Sequence, residues 1–156
     1  MNSEANIFDF EKDFAGTLRC IPMAVRFKLD SCGVKLSLRQ WGQFTREDRS
    51  RLLMLSCGMP EEVEAYRMEL MALVEARTDE VAKFIAMEAA PTWCDARRVP
   101  VQLLNYAHAL RVVPPAPEQW AELTVFQRFT LLKLTREGHD NINFIPVLRE
   151  FGLLSA

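Results

Sequence analysis

The side chains that could do chemistry in this chain are four cysteines, two histidines and a few acidic pairs. Cys20, Cys32, Cys57 and Cys94 are separated by 11, 24 and 36 residues. A zinc site is usually built from Cys or His pairs a few residues apart. No Cys-x-x-Cys occurs, and neither His108 nor His139 stands at ligand spacing from a cysteine. The thiols therefore read as small buried hydrophobes, kept reduced in a cytoplasmic protein. Glu61-Glu62 and Asp79-Glu80 sit where helices could start, and the helix dipole accounts for carboxylates there without acid–base work. His139-Asp140-Asn141 is the most polar cluster of an apolar tail and reads as a capping loop. The chain has no nucleophile elbow, His-Glu-x-x-His, phosphate loop or dinucleotide fingerprint. The expectation is a protein that is not an enzyme, with no cofactor and no bound metal.

Charge is the next signal. The net charge of −2 hides an uneven spread: residues 19–51 carry +5 and residues 61–80 carry −5. A basic block of this kind can steer an acidic protein partner, and Arg19, Arg26, Lys28, Lys35 and Arg39 are its candidate partner-binding residues. The plainer reading pairs the two blocks with each other inside the fold. An overall acidic balance argues against a nucleic-acid footprint. No apolar run approaches the ~18 residues of a membrane-spanning helix, and residues 1–6 show no basic or apolar leader. A cytoplasmic location is the expectation.

These residues must be positioned by helices, and the helices are written twice. Gln40-Trp41, Thr45, Arg49, Leu52-Leu53 and Leu55 return 79 residues later as Gln119-Trp120, Thr124, Arg128, Leu131-Leu132 and Leu134. Self-similarity at a fixed offset is the mark of a repeated supersecondary unit. Trp41, Thr45, Arg49, Trp120, Thr124 and Arg128 are its structural residues, the tryptophans as core and each arginine reaching backbone of the facing copy. Within each copy a proline opens a helix (Pro22, Pro100), an extended stretch follows (Val34-Lys35-Leu36, Val112-Val113-Pro114), then a short tryptophan-bearing helix and a threonine-capped one. Ser37-x-x-Gln40 and Thr124-x-x-Gln127 have the form of capping boxes. Gly33 suits a left-handed cap. Pro60 opens the longest helix, whose period Val81, Phe84 and Ile85 could prolong. No further strand is expected, and Phe8 and Phe10 alternate like a short extended segment. The fold class predicted is all-α: one helical domain over 1–156, with copies at about 21–77 and 99–152 and a linker at 89–98.

Leu18-Arg19-Cys20-Ile21-Pro22-Met23, Arg26-Phe27-Lys28-Leu29-Asp30 and Cys32-Gly33-Val34-Lys35-Leu36 resemble the nitrate reductase associated protein family. The likeness continues through Trp41, Ala65-Tyr66-Arg67, Trp93, Gln119-Trp120, Gln127-Arg128-Phe129, Lys133-Leu134, His139, Asn141, Asn143-Phe144 and Glu150-Phe151-Gly152. It departs at Thr78–Ala90, where the family reads more loop-like. The resemblance implies an accessory or maturation protein for assimilatory nitrate reductase, a molybdenum enzyme, with that enzyme as the protein partner. A second implied reading is a carrier of a small ligand, anion or metal at Arg19, Cys20 and Cys32, with His139 and Asn141 as further candidate ligand residues.

Overall fold

The computed structural model describes residues 7–12, 18–87, 89–136 and 142–154. The chain divides into two compact units, Met1–Met87 and Glu88–Ala156. It is mostly helical: the described residues form eight α-helices and one two-stranded ladder.

In the first unit, α1 (Met23–Cys32) begins after Pro22 and ends at Gly33. Its first free amide, on Met23, donates to the carboxylate of Glu11 at 2.7 Å. Glu11 is fully buried and sits in a 3-10 turn, Asp9–Glu11. That turn replaces the extended segment expected around Phe8 and Phe10, whose rings stack 5.9 Å apart. Gly33 is required twice over. Its φ is +71°, and a Cβ there would lie 2.8 Å from the Met87 side chain.

β1 (Val34–Lys35) leads to α2 (Leu38–Gln43), opened by the Ser37/Gln40 capping box with both bonds at 3.0 Å. One extended residue, Phe44, separates it from α3 (Arg46–Met54), opened by the Thr45/Asp48 box. α3 stops at Met54, with Leu55 extended after it. α4 (Pro60–Arg77) carries Pro60 in its first turn and buries Tyr66, Leu70, Leu73 and Val74. These pack with Val25, Leu29, Trp41 and Leu52 as the core of this unit.

The prolonged helix beyond Arg77 is a correction. Thr78 is extended, its hydroxyl bonds back to the Val74 carbonyl at 2.6 Å, and the chain then forms β2 (Lys83–Phe84). β2 pairs antiparallel with β1, Val34 opposite Phe84 and Lys35 opposite Lys83. The three-and-four spacing of Val81, Phe84 and Ile85 was shared by a period-two strand, and the Thr78 hydroxyl competes for the last helical carbonyl. The fold is thus mainly rather than wholly α.

In the second unit, residues 89–98 hold a 3-10 turn, Thr92–Cys94, that packs on α7 (Val125–Lys133). Trp93 meets Phe129 edge-on at 5.3 Å. α5 (Val101–Ala109) follows Pro100 and buries Leu103 and Ala107. It closes with Arg111 at φ +58° and a bond from the Val112 amide to the Ala107 carbonyl, a left-handed cap without glycine. α6 (Pro117–Glu122) carries Trp120, and Thr124 caps α7 through its box with Gln127. α8 (Phe144–Glu150) buries Phe144, Val147 and Leu148, and Phe144 stands edge-on to Tyr106 at 4.8 Å.

Candidate functional site

Each unit ties its entry segment to its short helices through one tryptophan and one arginine. The Trp41 indole N–H donates to the Leu18 carbonyl at 2.7 Å, and Arg49 Nη1 donates to the same oxygen at 3.2 Å. Leu18 has φ +53°, a conformation that costs a non-glycine residue roughly 1–3 kcal/mol. Two donors on its carbonyl help to hold it there. In the second unit the Trp120 indole donates to Asp95 at 2.8 Å. Arg128 is almost fully buried; its Nε donates to Trp93 at 2.7 Å and its Nη1 to Leu123 at 3.1 Å. Both arginines therefore bond carbonyls of their own unit, and the expected reach to the facing copy is corrected. Both threonine caps, Thr45 and Thr124, are formed.

The five cations expected to make a partner face fall into different roles. Arg19, Lys35 and Arg39 are exposed. Arg26 is half-buried, its Nε donating to Ile21 at 3.1 Å. Lys28 does not stand free: its Nζ donates to the Leu53 carbonyl at 2.7 Å and lies 5.7 Å from the Tyr66 ring centre. Tyr66 in turn donates its hydroxyl to the Leu52 carbonyl at 2.8 Å. The last carbonyls of a helix have no partner within the helix. In α3, Arg51 is served by the Leu55 amide, Leu52 by Tyr66 and Leu53 by Lys28. A cation at this end also complements the helix dipole. Lys28 is a cap of α3 contributed by α1.

The thiols are placed for packing. Cys32 is buried and Cys20 and Cys57 half-buried, while Cys94 is exposed. Cys32 Sγ donates to Leu29 at 3.7 Å, and Cys57 Sγ lies 4.0 Å from the Lys28 carbonyl. Burial pushes Cys57 up to about 11, with Cys32 adding to the shift and Lys28 opposing it. Burial also raises Cys32 and Tyr66 and lowers Lys28. Both thiols are therefore neutral at physiological pH, and a neutral thiol is a poor nucleophile and a poor ligand. Among the described residues no three His, Cys, Asp or Glu side chains gather as a metal site. His139 and Asn141 lie outside the described residues.

Among the described residues one ion pair joins the opposed charge blocks, Arg51 with Glu69 at 2.9 Å, while Arg77 and Asp48, the minority charges of their blocks, pair at 2.9 Å. Arg39 lines a polar cleft of about 420 Å³ with Gln43, Arg77, Thr78, Asp79 and Glu80. A different surface was not anticipated at all: the β1–β2 ladder. Lys35 faces Lys83 directly across it, and both are exposed. Arg67 lies 4.6 Å from the centre of the Phe84 ring. None of these three cations has an acidic partner among the described residues. Beside them Val81, Phe84, Ile85 and Met87 are all exposed. The alternation of Val34-Lys35 was readable, but its partner strand was hidden in an apparently helical period.

Compared with known proteins, the family described as conserved nitrate reductase-associated protein matches residues 7–151. The chain belongs to that family. Nitrate reductase-associated proteins are described by association with the enzyme and not by a reaction of their own. No curated protein sequence and no solved structure matches the chain. Among the described residues of this nitrate reductase-associated protein, no helix is long and apolar enough to cross a membrane.

Proposed function

We propose that this protein is a non-enzymatic accessory factor that binds nitrate reductase in the cytoplasm and supports formation of the active enzyme. The observation that carries the reading is the family match over residues 7–151. Two physical features are compatible with it. The thiols nearest the basic segment are held neutral, and Lys35 and Arg39 are exposed. Exposed cations of this kind steer an acidic protein surface and set salt dependence.

The same proposal includes the scaffold. The matched Trp–Arg ties of the two units, with a threonine-capped helix after each tryptophan, support an origin by duplication of one helical unit, with copies at about 21–77 and 99–152. In that reading the common residues hold the scaffold, and the diverged charges carry recognition.

Deleting the gene in its host tests the function. The expected outcome is loss of nitrate reductase activity with the reductase polypeptide still present on an immunoblot. Normal activity in the deletion strain would overturn the reading, and loss of the polypeptide itself would point to expression instead of maturation.

A further inference from the structure

Among the described residues the β1–β2 ladder is two strands wide, and no strand pairs with the outer edge of β2. Its orientation follows from one bond. The Ile85 amide donates to Gly33 at 2.9 Å, which makes Gly33/Ile85 a hydrogen-bonded pair of the antiparallel ladder. Such pairs alternate with non-bonded ones, so at Val34/Phe84 the N–H and C=O of Phe84 point away from β1. They stand ready for another strand, and exposed edges are where strands are added.

Side chains say which strand. Along β2 the odd positions share one face: Val81, Lys83, Ile85 and Met87, all exposed, with Lys35 beside Lys83. Like charges placed directly opposite are destabilising, and in such a ladder their Cβ atoms stand about 5 Å apart. Yet Lys35 and Lys83 have no acidic partner among the described residues. On a strand added at the outer edge of β2, a carboxylate opposite Lys83 would stand beside it on the side away from Lys35 and offset the repulsion. Apolar side chains two positions to either side of it would cover Val81 and Ile85.

We propose that the free edge of β2 takes up an extended segment of the partner protein, an acidic residue flanked at alternate positions by apolar ones. This rests on the reading above that the protein works by holding a protein partner, and it places that contact on Val81–Met87 with Lys35.

Two probes separate the two readings. The first is a short synthetic peptide of alternating valine and threonine with one central glutamate, its control carrying lysine instead. Wild-type protein is expected to prefer the glutamate peptide by about tenfold or more and to protect the Phe84 amide from hydrogen exchange. The variant K35E/K83E keeps a like-charge pair, so the ladder is no worse off, and it should invert the preference. Failure to bind either peptide, or binding without discrimination, overturns the proposal. So does self-association of the protein that K83E disperses, which would assign the edge to a second copy. The second probe is purified nitrate reductase. Equal binding by wild type and K35E/K83E overturns the edge as its docking place. If the reductase fails to bind while the glutamate peptide binds normally, the nitrate reductase reading falls and the edge stands.

Discussion

Replacing Lys28 separates a helix cap from a partner-binding charge. In K28M the aliphatic stem is nearly kept, so packing changes little, but the Leu53 carbonyl loses the ammonium donor that lies 2.7 Å away. A hydrogen bond to a charged group contributes roughly 1.5–3 kcal/mol, and the cation over the Tyr66 ring about 0.5 kcal/mol more. Relief from the burial that lowers the Lys28 pKa offsets part of this. The expected loss is about 2 kcal/mol for K28M. K28E should lose about 1 kcal/mol more, because it brings a negative charge to the carbonyl end of α3. Lys35, exposed on β1, is the control: K35E should stay within about 0.5 kcal/mol of wild type. Urea unfolding followed by circular dichroism reads the midpoints, with an unchanged slope confirming that only stability moved. Wild-type midpoints for both Lys28 variants, together with weakened partner binding, would refute the cap and restore Lys28 to the binding face.

Three further outcomes follow from the internal ties. Asp48 is buried, which opposes its ionisation, but the hydrogen bonds from Arg77 and from Thr45 outweigh burial and lower its pKa. Its folded pKa lies below the unfolded value of about 3.9, so its contribution is complete above that pH and is lost as acid takes the pH down through the folded value. D48N should cost about 1–2 kcal/mol at neutral pH and flatten that acid limb in a pH series of unfolding curves. Cys57 has the opposite sign: with a folded pKa of about 11 against about 8.5 unfolded, its thiol supports the fold below about pH 8.5 and loses that support toward pH 11. C57S should lessen this alkaline decline, leaving the part that the raised Cys32 and Tyr66 contribute, as a differential melting series would show. R128M should destabilise by about 3 kcal/mol or more, since it strands the carbonyls of Trp93 and Leu123, and R128K should recover only part of that, read as thermal midpoints.

Local chemistry made much of the fold readable. Ser37, Thr45 and Thr124, each followed three residues on by a side chain that bonds back, announced their helices because a capping box is complete within four residues. Pro60 and Gly33 marked boundaries for equally local reasons. What escaped was non-local. Nothing adjacent to Glu11 says that its carboxylate will cap a helix beginning at Met23, 12 residues on. Nothing near Lys28 reveals Leu53, 25 residues on. β2 failed for a different reason: two residues of strand give a period too little length to distinguish two from three and a half.

The charge pattern shows why composition blocks mislead about surfaces. The +5 over residues 19–51 looked like one basic face. In the fold, Lys28 and Arg26 spend their charge on backbone carbonyls, Arg49 on Leu18, and Arg51 on Glu69. A cation bonded to a helix end is unavailable to a partner, because withdrawing it leaves an unserved carbonyl in a half-buried place. Lys35 is not constrained in this way, and the lysine it faces lies outside the basic block, at Lys83. Among the described residues it is the β1–β2 ladder that brings two cations from segments distant in sequence, Lys35 and Lys83, face to face without an acidic partner, which is why the proposed contact is placed there.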